Sequence, residues 1–329
     1  MTAAATTVVD PNGPRLVNIA SNPMPEGGRV GYFRTKDGVQ LRYAIWPKPT
    51  GGGQRGTICL VQGRSEYIEK YFETVADFRA RGFAVATFDW RGQGGSDRLI
   101  GNKSLGFVER FDDYWTDLSS FHQEILLPDT PGPFYLVGHS MGGLVSLFAS
   151  VHDRLMFDRI FLTAPMLALE GQPLSMRGMA KVAETLCFFG MGQMPVGRAV
   201  DRDPSEKAFA KNPLTGDFGR YSRGIAVLNE GPELALGPPT LRWAAAATAA
   251  MAEAGHDSFA GRVRVPLLML AAARDQVVST PAIEQLGLRL RTGRHVMVAG
   301  ARHELLMETN AIRGQVLAAF DAFITAQSD

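Results

Sequence analysis

The chain has 329 residues, 45% of them hydrophobic and 20% charged, with 34 Lys and Arg against 33 Asp and Glu for a net charge of +1. That balance suits a globular protein and gives no electrostatic basis for capturing nucleic acid or an anionic membrane. The two cysteines exclude a disulfide framework and favour a reducing compartment, and no apolar run approaches the roughly 20 residues of a membrane span.

Residues 1–27, rich in Ala, Thr, Pro, Asn and Gly, are expected to form a tail draped over or detached from the folded body. Met1 to Asp10 lack the basic and apolar regions of a secretory signal, so a cytoplasmic protein is expected. Val30 to Arg34 and Gln40 to Trp46 predict a hairpin turning at Lys36-Asp37-Gly38. A linker, Pro47 to Gly56, leads to a buried strand, Thr57 to Val61. After the Gln62-Gly63-Arg64 loop, Tyr71, Val75 and Phe78 recur at helical spacing until Gly82. Phe83 to Phe88 predicts a strand, and Phe111 to Leu127 a helix.

Phe134-Tyr-Leu-Val then reads as a buried strand that stops at Gly138-His139-Ser140-Met141-Gly142, and Leu144, Val145, Leu147, Phe148 and Val151 put an apolar stripe on the helix that follows. A Gly-x-Ser-x-Gly turn between strand and helix holds a serine in strained geometry with its hydroxyl outward, the signature of a nucleophile elbow. Alternation continues through Arg159 to Ala164 and resumes with a strand at Val265 to Ala271, a helix from Pro281 to Leu290, a strand from His295 to Val298 and a helix from Asn310 to Ala326. Such alternation predicts an α/β fold, a mostly parallel sheet with helices on both faces.

Between Pro165 and about Trp243 the alternation breaks down, and Met166, Met176, Met179, Met191 and Met194 gather there. An insertion at the carboxyl end of a sheet strand stands where ligands bind, so a helical cap or lid is expected over 165–243. The methionines could also fill an irregular core. The remaining chain divides into a first core part over 28–164 and a second over 244–329.

A serine hydroxyl needs a base, and the base an orienting acid, in the chain order Ser, Asp or Glu, His for this elbow. Asp275 stands just past the strand that begins at Leu267, whereas the competing acids Asp257 and Glu284 follow no core strand so directly. His303 stands in the loop after the last strand. Of the other histidines, His122, His152, His256 and His295 read as structural or solvated, and the side chain of His139, adjacent to the nucleophile, points away from its hydroxyl. The predicted catalytic residues are therefore Ser140, Asp275 and His303. The oxyanion needs two amide donors; Met141 and Arg64 are the candidates by position. The Arg64 side chain has two readings, a surface charge or a contact to an anionic substrate group. Gln62, Gly63, His139 and Met166 are the expected substrate-binding residues. No metal or cofactor is expected, since no spacing suggests a His and carboxylate cluster.

The stretch Gln62-Gly-Arg-Ser-Glu-Tyr-Ile-Glu-Lys-Tyr71, the turn Phe88-Asp-Trp-Arg-Gly-Gln-Gly-Gly-Ser96 and the segment Phe107 to Asp117 resemble the serine hydrolases of the α/β-hydrolase superfamily that include lysophospholipase L2 and the monoacylglycerol lipases. The resemblance covers about 30–164 and 260–326. Where monoacylglycerol lipases usually carry His-Gly in the oxyanion loop, this chain has Gln62-Gly63. It implies the α/β-hydrolase fold and hydrolysis of a carboxylic ester, with lysophospholipids or monoacylglycerols as typical substrates. The expected partner is thus a small acyl ester, with a lipid met through transient contact of the lid with a membrane as the further expectation. An aminopeptidase or amidase, and a ligand receptor retaining the triad, are the competing readings.

Overall fold

The computed structural model describes residues 13–49, 55–197 and 203–325. Residues 1–12 of the expected tail, 50–54 of the linker and the last residues from Ala326 lie outside the described residues. The described part of the tail is draped: Val17 is buried and its amide donates to Glu69 Oε1 at 3.1 Å, while Asn22 Nδ2 donates to the Glu69 carbonyl at 2.8 Å.

Eight strands form one sheet in the order β1-β2-β4-β3-β5-β6-β7-β8. The hairpin β1 (Arg29–Arg34) and β2 (Gln40–Trp46) is antiparallel and joins β4 (Ala84–Phe88) antiparallel. All other neighbours are parallel: β3 (Thr57–Val61), β5 (Phe134–His139), β6 (Arg159–Thr163), β7 (Leu267–Ala272) and β8 (Gly293–Val298). Every residue of β3, β4 and β7 is buried, as strands covered on both faces must be. The first Rossmann-like step runs from β3 to β4 on one side, and the chain then returns to place β5 on the other side of β3. That reversal opens a crevice beyond the carboxyl ends of β3 and β5, where ligands bind in open α/β sheets.

Helix α1 (Phe72–Ala80) leads into β4; α2 (Asp112–Phe121), a π-turn over His122–Leu126 and the short α3 (Leu127–Asp129) lead into β5. Helix α4 (Ser140–His152) follows β5 without a linking residue. The helices α9 (Thr280–Arg289) and α10 (Asn310–Thr325) flank β8. Phe320 of α10 packs on Phe78, Phe83 and Phe161 with ring centroids 4.7–5.9 Å apart, closing the core around α1 and α10.

Residues 165–243 carry α5 (Met176–Leu186), a π-turn over Cys187–Met191, α6 (Glu206–Phe209) and α7 (Phe218–Glu230), before α8 (Leu241–Ala254). Ser175, Asp217 and Thr240 cap α5, α7 and α8 with their side-chain oxygens. Arg220 of α7 donates to Glu73 of α1 at 2.9 Å, Arg223 also pairs with Glu73, and Arg313 of α10 reaches Glu73 at 3.2 Å. One carboxylate on α1 thus ties α7 and α10 to the body.

Candidate active site

Val61, the last residue of β3, stands opposite Gly138 in the parallel register of β3 and β5. The loop after β3 and the turn after β5 are therefore neighbours by sheet pairing alone. The turn is tight: Ser140 sits at φ 50°, a left-handed conformation that costs a non-glycine residue about 1–3 kcal/mol. Only glycine fits beside it. A Cβ on Gly142 would lie 2.5 Å from the Gln62 carbonyl, and one on Gly138 would lie 2.6 Å from Ser146 Oγ. The Gly142 amide instead donates to Gln62 O at 3.1 Å, which fastens turn to loop.

His303, reached after β8 through a turn with Gly300 at φ 74°, places Nε2 3.0 Å from Ser140 Oγ. Its Nδ1 lies 2.8 Å from Asp275 Oδ2 in the loop after β7, and the other carboxylate oxygen accepts from the amides of Val277 and Val278 at 2.8 and 3.0 Å. With Nδ1 donating to a carboxylate, Nε2 carries the lone pair that faces the serine. Burial raises the Asp275 carboxyl, but the hydrogen bond and charge of His303 and the two amides outweigh it and hold it below the ordinary aspartate value. The acid is ionised at neutral pH. Asp257, one of the two competing acids, is paired with Arg289 at the surface. The other histidines do different work: His122 rests against Phe134 and Phe157, and His152 stacks on Trp115.

A cavity of about 390 Å³ opens over Ser140 and His303. Of the expected substrate-binding residues, Gly63, His139 and Met166 line it, with Arg64 beside them. Gln62 does not: its side chain turns into the core toward Thr87 Oγ1 at 3.2 Å, while its carbonyl accepts from Trp90 Nε1 and Gly142 N. The glutamine is a hinge of the loop rather than a wall of the cavity. His139 packs its ring 4.9 Å from that of His303, with Nδ1 against the Thr163 carbonyl and hydroxyl at 3.0 and 3.1 Å. The remaining walls are mostly apolar, with Leu169, Ile225, Leu228, Leu236 and Trp243 among them. Of the five methionines in the insertion, only Met166 reaches the cavity; Met194 is exposed. The cover is aliphatic and aromatic, drawn from the segment after β6, from α7 and from the start of α8 with the segment before it.

A buried ionic chain, absent from the expectations, braces the loop. Glu66 accepts from the Gly63 amide at 2.5 Å and from Tyr71 Oη at 2.8 Å, and pairs with Lys70 at 2.8 Å. Lys70 also pairs with Glu304, the neighbour of His303, at 2.6 Å. Gln93 adds a donor to the Gly63 carbonyl at 2.9 Å. Glu66 is held at about 2: burial raises it, and the charges of Lys70 and His139 outweigh that. The sequence signal for this chain is a glutamate and a lysine four residues apart, Glu66 and Lys70, with Glu69 between them.

The serine aminopeptidase S33 family matches residues 52–310. The chain belongs to that family. Lysophospholipase L2 of Escherichia coli K12 is 34% identical over 281 residues, covering 81% of this chain and 79% of that protein. Monoglyceride lipase of Mus musculus is 24% identical over 292 residues, 88% of each. Among solved structures, a soluble variant of monoglyceride lipase from Saccharomyces cerevisiae in complex with a substrate analog superposes with a TM-score of 0.69 at 20% identity, covering 90% of this chain and 95% of that one. The fold is the α/β-hydrolase fold, and this S33 member is a serine hydrolase of carboxylic esters. No helix among the described residues is long and apolar enough to cross a membrane.

Proposed function

We propose that Ser140, His303 and Asp275 are the catalytic triad of a hydrolase acting on single-chain acyl glycerolipids, lysophospholipids or monoacylglycerols. The observation that carries the reading is the relay of 3.0 Å from Ser140 to His303 and 2.8 Å from His303 to Asp275 on the floor of an apolar cavity. His303 takes the serine proton as Oγ attacks the acyl carbonyl, and Asp275 stabilises the imidazolium so formed. The amides of Met141 and Arg64 are the proposed oxyanion donors, supported by position: Met141 lies in the first turn of α4, and Arg64 in the loop where a Cβ on Gly63 would come within 3.2 Å of Ser140 Cβ. His303 then protonates the leaving alcohol, and a water activated by the same imidazole releases the acid.

Ester cleavage is favoured over aminopeptidase action by the cavity's charges. A free amino terminus needs an unengaged carboxylate, yet Glu66 and Glu304 both pair with Lys70. The lipid reading extends to the surface, where Phe188 and Phe189 on the π-turn after α5 are 85% and 71% exposed. Residues 165–243 then act as the cap, and this turn is its point of contact with a lipid surface. With Cys59 and Cys187 both free, the proposal places the enzyme in a reducing compartment such as the cytoplasm.

Ser140→Ala is expected to abolish cleavage of p-nitrophenyl esters, lysophosphatidylcholine and monoacylglycerol while leaving the circular dichroism spectrum unchanged. His303→Ala should lose as much, and the double variant no more than either alone. Wild-type turnover in Ser140→Ala refutes the mechanism, and a preference for aminoacyl-anilides over both lipids refutes the substrate class.

A further inference from the structure

Three cations line the cavity, and two already have acids. Lys70 bridges Glu66 and Glu304, and Arg220 pairs with Glu73 and Asp217. Arg64 differs. Its NH2 donates to the Gly237 carbonyl at 2.5 Å, its guanidinium carbon lies 5.2 Å over the Trp243 ring, and its Nε is buried without a partner. Gly237 O is its one hydrogen-bond acceptor among the described residues, and none of their carboxylates pairs with it. The fit is made for this side chain, because a Cβ on Gly106 would come within 2.8 Å of NH2. Burial pulls the guanidinium down to about 10 from an ordinary 12.5, which leaves it charged at neutral pH.

A half-buried guanidinium whose buried Nε has no partner and which faces no acid is costly to a fold unless an anion completes it. The position of Arg64 states which anion. Its backbone amide stands at the proposed oxyanion site, and its side chain runs from there along the wall to Trp243. In a lysophospholipid the ester carbonyl and the phosphate are separated by a glycerol unit, a span comparable to the three-methylene stem of arginine. Arginine also offers phosphate two parallel donors, which an ammonium does not.

We infer that the Arg64 side chain recognises the headgroup phosphodiester of a lysophospholipid whose acyl carbonyl lies at Ser140, and so sets preference for lysophospholipid over monoacylglycerol. The inference rests on the esterase reading above. Arg64→Gln keeps the backbone amide and removes the charge. The measurement is kcat/KM on lysophosphatidylglycerol and on 1-monoacylglycerol of the same acyl chain, both below their critical micelle concentrations. The ratio of the two is expected to fall at least ten-fold in Arg64→Gln, with part of it restored in Arg64→Lys. Equal losses on both substrates, leaving the ratio at its wild-type value, overturn the inference.

The wild-type enzyme provides a test independent of any substitution. Glycerol 3-phosphate should inhibit p-nitrophenyl butyrate hydrolysis at concentrations at least ten-fold below those needed for glycerol or for inorganic phosphate. If it is no better than glycerol, no phosphate is read; if it is no better than inorganic phosphate, the group is a free-anion site and not a headgroup site. Either result overturns the inference. A protein that cleaves no acyl ester at all sinks the esterase reading itself, a result distinct from an active esterase with an unmoved ratio.

Discussion

At the scale of single residues, the site keeps one of two adjacent imidazoles, His139, neutral by burial. His139 and His303 lie ring to ring at 4.9 Å, so an imidazolium on both would repel. Burial avoids this by holding His139 at about 4, against an ordinary 6.5, despite the nearby Glu66. The native state then refuses a proton that the unfolded chain accepts below pH 6.5. Stability is lost as pH falls from 6.5 toward 4 and the loss levels off below that, amounting to about 3 kcal/mol. Denaturant unfolding of wild type and His139→Gln at pH 7 and pH 4 checks this: the wild type should lose about 3 kcal/mol more than the variant over that interval. Equal losses would mean that His139 titrates normally. Ser140, Asp275 and His303 were all legible in the chain, since each follows a readable strand. The inward turn of Gln62 was not legible, because sequence position does not reveal which way a loop side chain points; here its Nε2 donates to Thr87 Oγ1 in the core.

At the scale of elements, the cavity depends on how α7 is held. Glu73 gathers Arg220 and Arg223 from α7 and Arg313 from α10. Burial raises its carboxyl, but the hydrogen bonds of Arg220 and Arg223 prevail and hold it at about 2. Glu73→Gln leaves the arginines without their shared charge. It should lower stability by about 1–2 kcal/mol, a modest figure because the carboxylate is partly solvated. Since Arg220, Tyr221, Ile225 and Leu228 of α7 line the cavity, KM for a long-chain ester should rise more than kcat falls. Thermal melts and steady-state kinetics check both; an unchanged KM would show that α7 keeps its place without the clamp. None of this was readable in the chain. An ion pair between residues 147 positions apart leaves no trace in local periodicity, whereas the capped helices and buried strands do.

At the scale of the whole molecule, the exposed aromatic pair Phe188 and Phe189 sits on the same insertion whose other end walls the cavity. Burying a phenyl ring in a lipid surface contributes roughly 2 kcal/mol. Phe188→Ser with Phe189→Ser should therefore weaken partitioning onto phospholipid vesicles at least ten-fold in flotation assays. Hydrolysis of aggregated lipid should fall with it, while hydrolysis of p-nitrophenyl acetate stays within about two-fold. Wild-type flotation by the double variant would remove the proposed lipid contact.

The chain by itself determined the parallel sheet, the elbow and the two loops that carry Asp275 and His303. Those features are written in runs of a few residues, where a buried strand must be apolar and the residue past its end must be the one that reaches the crevice. Which methionines of the insertion reach the cavity was not legible for the complementary reason: of the five, Met166 alone lines it. Which side chains of 165–243 face Ser140 is settled by the docking of α7 and α8 on the body, not by composition. Tertiary structure alone brought Lys70 to Glu304, turned Gln62 away, and left Arg64 half-buried, its Nε unpartnered and no acid paired with it. Charge compensation is a sum over groups distant in sequence, so only the folded chain reveals where that sum is incomplete.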